Sequence, residues 1–299
     1  SYNLQKPSEQ FYETVDAMLS VGTRLRSNET LNYHLRLPAT RYRIDANALA
    51  DGRGYTNDCF IQGDAQLTLD ALADRLEGRM QIDPQLARDT QNARAESATL
   101  VDGMLGAYVK LKDTLAKVAG RNIWWVRDIT LSNSMWGNRA PVLDHPRAGV
   151  HALGGGIGQG LAMGVGAAVA NTEFGLGRKT LSLCGDGGFM LNVGELACAA
   201  QEKADVLFIV MNDQRYGVIK NIQDDIYGSR HAYVELHTPD FAQLCASLQV
   251  PHLRLSDPLK TREALEQAMA LSGPAVLEVD MAAWGPFAAK FAGPPKKKD

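Results

Sequence analysis

Two aspartates stand where apolar runs stop. Asp186 lies in Gly185-Asp186-Gly187-Gly188-Phe189, after the run 180–184, and Asp213 lies in Met211-Asn212-Asp213, after the run 206–211, 27 residues further on. The stretch between them, 191–202, has helical character. A strand–helix–strand unit places both carboxylates at the carboxyl ends of neighbouring parallel strands, where open α/β sheets bind ligands. Two hard oxygen ligands beside a glycine turn and a helix start suit Mg²⁺ together with a phosphate group. Ordinary turn aspartates account for either motif alone, but poorly for the pair.

A second feature is Gly154-Gly155-Gly156-Ile157-Gly158-Gln159-Gly160. No register of GxGxxG fits it, because Gln159 and Leu161 fall where the third glycine is needed. The Walker pattern also fails, since Leu161 replaces the required lysine after Gly155 and Gly160. Two readings remain. One is a flexible turn leading into a small-residue helix packed closely on a sheet. The other is a bare backbone that lets a flat ligand approach its carbonyl and amide groups, with Ile157 as a wedge.

The elements that would position these residues are those of an α/β protein. Strands are expected at 123–126, 180–184, 206–211, 252–255 and 275–279, with helices at 160–170, 241–248 and 261–271, which predicts a parallel sheet with helices on both faces. Residues 119–299 form this C-terminal domain. Residues 1–80 carry strands at 17–22 and 41–45 and an amphipathic helix at 65–76, too few elements for a complete α/β domain. Within 81–118, the polar stretch 81–98 is expected to be an exposed connection, and 100–118 a helix leading into the second domain.

Composition excludes several classes. A hydrophobic content of 45% with 22% charged residues is that of a globular protein, and a net charge of -3 argues against a nucleic-acid partner. No apolar run reaches the roughly 18 residues that span a membrane. The four cysteines, Cys59, Cys184, Cys198 and Cys245, show no CxxC spacing, so reduced thiols in a cytoplasmic protein are expected rather than a zinc site. The lysine-rich end, 296–299, reads as a solvated tail.

With both motifs in view, the chain resembles the thiamine-diphosphate-dependent enzymes of the acetolactate synthase, pyruvate oxidase and benzoylformate decarboxylase superfamily. The resemblance rests on Gly185-Asp186-Gly187, on Asn212-Asp213-Gln214-Arg215-Tyr216-Gly217 and on Gly155-Gly156-Ile157-Gly158-Gln159-Gly160-Leu161. In residues 1–80, Val21-Gly22-Thr23-Arg24-Leu25, Arg43-Ile44-Asp45 and Gly63-Asp64-Ala65 are similar to the second half of the family's middle domain. Carried over, Asp186 and Asp213 are side-chain ligands of Mg²⁺, and the Arg215 carbonyl is a third. Thr130, Gly187, Gly188, Tyr216 and Gly217 border the diphosphate. Gly155 and Gly156 receive the aminopyrimidine, and Ile157 props the cofactor rings into a bent shape. Asp213 stands where the family most often has asparagine; its extra charge near a diphosphate is worth on the order of a few kcal/mol of repulsion, which the metal offsets.

The implied activity is that of an acetolactate-synthase-like carboligase, decarboxylating a small 2-oxo acid through an enamine intermediate. The alternatives are a benzoylformate-decarboxylase-like enzyme and a non-catalytic cofactor-binding or assembly chain. The tail Gly285-Pro286-Phe287 with Phe291-Ala292-Gly293-Pro294-Pro295 resembles acetolactate-synthase-like proteins. A nicotinamide dehydrogenase is disfavoured by the failed GxGxxG spacing. The family's activating glutamate belongs to an N-terminal domain with no counterpart here, so no catalytic base is assigned. A truncated, inactive chain holding the diphosphate half of the site is expected, within a homodimer or homotetramer. FAD is not expected, although Arg24 and Arg26 are candidate nucleotide contacts. His151, and His231 and His237 in a segment read as a lid, are set behind plain polar roles. So are Asn28-Glu29-Thr30, while Trp124, Trp125 and Trp136 are read as core or interface.

Overall fold

The structure is a computed structural model that describes residues 2–293. The chain divides into two compact units between Val101 and Asp102.

The first unit holds a three-stranded parallel sheet in the order β1 (Ala17–Val21), β2 (Thr40–Asp45), β3 (Cys59–Gln62). Helices α1 (Lys6–Glu13) and α2 (Ala65–Leu76) accompany it, and α3 (Leu86–Leu105) runs across the division. In β2, Ile44 is fully buried and Arg43 is also buried, its guanidinium donating to the Thr23 carbonyl at 2.7 Å. The α2 helix begins where Asp64 caps it, accepting from the Leu67 N–H at 3.0 Å. Its expected apolar side is nonetheless open, with Leu67 72% exposed and Leu69 and Leu76 exposed as well. Three short strands offer too little sheet to cover that face.

The expected exposed connection, 81–98, is mostly exposed and is largely formed by helix α3. The helix buries a narrow stripe, Ala93, Ser97, Val101 and Leu105, one residue per turn, and within 81–98 that stripe is only Ala93 and Ser97. Ser97 shares a 2.9 Å hydrogen bond with Ser8. Small and polar residues on that stripe leave almost no apolar periodicity to read, while Ala, Arg, Gln and Glu supply helix propensity.

The second unit is a six-stranded sheet in the order β5-β4-β6-β7-β9-β8, with every described pairing parallel. Its strands are β4 (Ile123–Arg127), β5 (Gly149–His151), β6 (Lys179–Gly185), β7 (Val206–Asn212), β8 (His252–Leu255) and β9 (Ala275–Asp280). The helices are α4 (Tyr108–Ala119), α5 (Gln159–Glu173), α6 (Asp186–Leu191), α7 (Glu195–Gln201), α8 (Gly217–Ile226), α9 (Phe241–Ser247), α10 (Thr261–Ala270) and α11 (Met281–Trp284).

Two cores lie on opposite faces of this sheet, and strand alternation deals residues between them. Leu181, Leu183, Leu207, Ile209, Leu277 and Val279 join Leu111, Leu115 and Leu265 in one core. Cys184, Val206, Phe208, Val210 and Val276 join Leu161, Val165, Leu196 and Phe241 in the other. Full burial of β7 is why Val206–Met211 reads as an unbroken apolar run, whereas β9, equally buried, carries Glu278 within it.

Chain order reverses at the centre of the sheet. From β4 the chain moves outward to β5, then returns across β4 to β6 and continues the other way. The segments leaving β4 and β6 therefore diverge, and a crevice opens between their carboxyl ends. The helix α5 crosses beneath it at very short range. A Cβ on Gly160 would lie 2.7 Å from the Asp128 Cβ and 2.9 Å from the Cys184 sulfur. Gly160→Ala is expected to lower stability by about 1–3 kcal/mol through overpacking, measured by urea denaturation.

Candidate cofactor site

The paired register Gly185↔Met211 brings the ends of β6 and β7 level, so Asp186 and Asp213 emerge side by side. Asp186 is 1% exposed, and its Oδ2 has no hydrogen-bond partner among the described residues. Burial pushes its carboxyl up to about 7, and the charge of Asp213 adds to the shift. Burial also pushes Asp213 up to about 6, against the opposing pull of Arg215. A cation placed between two such acids would favour their ionised forms.

Asn212, the other member of the pair, faces away from the crevice. Its amide donates to Glu278 at 2.8 Å, and its Oδ1 accepts from the Gln214 N–H at 3.2 Å. Glu278 is held in turn by His252 Nε2 at 3.0 Å. Gln214 sits at φ 56°, a left-handed conformation that turns the chain back sharply after Asp213. Arg215 returns its Nε to the Asp213 carbonyl at 3.1 Å. The segment after α8 comes back antiparallel, with Tyr216 N–H donating to the Val234 carbonyl and Leu236 N–H to the Gln214 carbonyl. Tyr216 and Leu236 press on Gly187, where a Cβ would meet them at 2.6 and 2.7 Å.

A cavity of about 330 Å³ occupies the crevice. Thr130, Gly155, Ile157, Asp186, Gly187, Gly188, Asp213, Arg215, Tyr216 and Gly217 all line it. Gly156 does not; its carbonyl accepts from the Gln159 side chain at 3.1 Å and is turned into the turn's own bonding. Gly155 adopts φ 75°, which a side chain would resist. Ile157 is 40% exposed and packs against the start of α6, 3.3 Å from where a Gly188 Cβ would lie.

The sequence reading missed part of the wall. Ile129, Leu131, Val218, Ile219 and Met281 make it apolar. Ser132 is buried there with its hydroxyl unpartnered among the described residues. Asp128, directly after β4, holds the turn by accepting from the Gly158 N–H. Its signal was available, since it follows an apolar run just as Asp186 and Asp213 do.

Other candidates lie outside this cavity. His151 and His237 are exposed, and His231 donates or accepts at 2.6 Å with Asp224 on α8. Trp125 and Trp136 are core, and Trp124 donates to Asn171 at 2.9 Å. In the first unit Arg26 pairs with Glu29, and buried Thr30 donates to the Arg26 carbonyl at 2.9 Å, so both have local structural partners.

The donor set fits a small hard cation bridging to an anionic ligand. Among the described residues no three His, Cys, Asp or Glu side chains converge on a point, so two carboxylates must be supplemented by carbonyls, water or ligand oxygens. That is how Mg²⁺ is held beside phosphates. Residues 132–279 match the family model described as "Thiamine pyrophosphate enzyme, C-terminal TPP binding domain". Over its C-terminal part the chain belongs to the thiamine-diphosphate-dependent enzyme superfamily.

Among individual relatives, the chain is 30% identical over 249 residues to the probable 2-ketoarginine decarboxylase AruI of Pseudomonas aeruginosa, covering 80% of this chain and 42% of that protein. It is 26% identical over 294 residues to the probable acetolactate synthase large subunit of Methanococcus aeolicus, covering 91% of this chain and 48% of that one. It is 32% identical over 136 residues to the mitochondrial acetolactate synthase catalytic subunit of Aspergillus candidus, covering 45% and 19%. The chain thus spans less than half the length of these curated relatives. No described helix is long and apolar enough to cross a membrane.

Proposed function

We propose that the chain is the diphosphate-binding part of an Mg²⁺- and thiamine-diphosphate-dependent enzyme acting on 2-oxo acids, with acetolactate-synthase-like carboligation as its reaction. The observation that carries this is the buried, unpartnered Asp186 carboxylate beside Asp213, facing the glycine turn across one cavity. Asp186, Asp213 and the Arg215 carbonyl hold the cation. Gly187, Gly188, Thr130, Tyr216 and Gly217 border the diphosphate, and the Gly155 carbonyl and Ile157 meet the rings. When bound, thiamine diphosphate supplies an acidic thiazolium carbon and a ring that takes up the electron pair released by decarboxylation. The apolar wall of Ile129, Leu131, Val218, Ile219 and Met281 keeps water from the reacting carbon.

The only carboxylates lining the cavity among the described residues are Asp186 and Asp213, both committed to the cation. This cavity wall therefore offers no proton acceptor at the ring end; the resemblance implies a glutamate from outside it, within a homodimeric or homotetrameric assembly. By itself the chain is expected to bind cofactor and turn over poorly. Four free cysteines fit a reducing compartment such as the cytoplasm. A simple 2-oxo acid decarboxylase is the second reading, favoured by the likeness to a probable 2-ketoarginine decarboxylase over 80% of the chain.

The test supplies the product of the complete reading frame with Mg²⁺, thiamine diphosphate and a panel of pyruvate, benzoylformate and 2-ketoarginine. Carbon dioxide, aldehyde and acetolactate are measured. Acetolactate from pyruvate supports the carboligase, and aldehyde alone supports the decarboxylase. Cofactor binding without carbon dioxide from any member of the panel overturns both.

A further inference from the structure

Asp128 is fully buried, and no ion pair to it is found among the described residues. A buried carboxylate without a cation is expensive unless N–H donors surround it. Here the donors come from the glycine turn. The Gly158 N–H reaches both carboxylate oxygens at 3.0 Å, and the Ile129 N–H reaches one at 2.7 Å. The Gly158 N–H belongs to the Ile157–Gly158 peptide, so holding it fixes that peptide plane and the backbone from which the Ile157 side chain departs. The other side of Gly158 is held as well: Asn192, just after α6, donates to its carbonyl at 2.7 Å. Gly158 itself adopts φ 93°, so the two anchors hold a conformation that is not otherwise favoured by neighbouring side chains. Asp128 also packs against the diphosphate end, with Oδ2 lying 2.7 Å from where a Gly188 Cβ would stand.

We infer that Asp128 and Asn192 are positioning residues that clamp Gly158 between β4 and α6 and so set Ile157, at the ring end of the cofactor, relative to Asp186 at the diphosphate end. The inference rests on the proposed cofactor reading. It assigns to the clamp a share of affinity for the cofactor's rings and none for its diphosphate.

The test titrates the whole chain with Mg²⁺-thiamine diphosphate and, separately, with Mg²⁺-pyrophosphate, which lacks the rings. Wild type is expected to prefer the complete cofactor. Asp128→Asn places an amide against N–H donors and is expected to weaken thiamine diphosphate about tenfold or more, while pyrophosphate changes by less than about twofold. Asn192→Ala, at an exposed position, acts on the adjoining Gly158–Gln159 peptide without risk to the core and is expected to give a selective loss of about fivefold. Ile157→Ala should remove the same preference, and the Ile157→Ala/Asn192→Ala double variant should lose no more than the larger single loss. Parallel loss of both ligands, unchanged preference, or additive losses overturn the clamp. Wild type binding neither ligand overturns the cofactor reading itself, and a wild type without preference overturns the clamp alone.

Discussion

Asp186→Ala is expected to erase the thermal stabilisation that Mg²⁺ and thiamine diphosphate together give the wild-type chain. A ligand at about 100 times its dissociation constant stabilises the folded state by about 2.7 kcal/mol. For a domain of this size that is a rise of roughly 5–10 °C in Tm. Asp186 offers the only carboxylate oxygen among the described residues that is both buried and unpartnered in the cavity. Removing it leaves Asp213 and backbone carbonyls, too few protein ligands for a cation that sheds water reluctantly. Chelation of Mg²⁺ with EDTA should reproduce the loss in wild type, and cofactor without metal should give no shift. Differential scanning fluorimetry reads all of these. Full stabilisation in the variant would place the metal elsewhere.

The second large effect concerns the metal-free chain. Burial raises both acids above the ordinary carboxylate value, Asp186 to about 7 and Asp213 to about 6, with the charge of Asp213 adding to the shift of Asp186. Between pH about 4 and about 7 the folded state then holds more protons than the unfolded chain, so stability falls as pH rises through that window and levels above it. The pair titrates as a unit, so the change belongs to the two carboxyls together. Asp128 is also raised, chiefly by burial, and acts in the same direction. Glu278 and Asp280 are lowered, held by His252 and Asn212 in one case and Arg254 in the other; their contribution is lost only as pH falls toward the acid range. Subtracting the Asp186→Asn curve from wild type isolates the pair. In EDTA the variant should be the more stable protein above pH 7, and saturating Mg²⁺ should narrow the gap by stabilising only wild type. A flat difference from pH 4.5 to 8 would mean that the two carboxylates do not share a buried site.

Much of the site was legible because the strands that carry it are buried on both faces. Mostly apolar runs ended at Asp186 and at Asn212-Asp213, broken in the first only by Ser182 after Thr180, and the parallel sheet follows from their spacing. The turn around Ile157 was visible as backbone without side chains. What escaped notice had weak local signals. The strands β3 and β5 are four and three residues long, too short for any period to register. The return of Val234 and Leu236 depends on pairing with Gln214 and Tyr216, which no local pattern encodes. Asp128 is bonded to Gly158, 30 residues away, and becomes meaningful only once β4 and α5 are adjacent. The first part of α3 has little apolar periodicity because its buried stripe there is Ala93 and Ser97 alone.

The reversal of chain order between β4 and β6 has a consequence for how such a protein can change. The hollow is made by the routing of the backbone, before any ligating side chain is chosen. Chemistry and architecture are therefore separable here. A copy of this gene that lost Asp186 would forfeit the proposed cation site yet inherit the same cleft, already apolar and already walled by glycine. Selection could then refit that cleft to another anion or to a regulatory ligand by changing a few residues at the strand ends, with the sheet beneath left untouched.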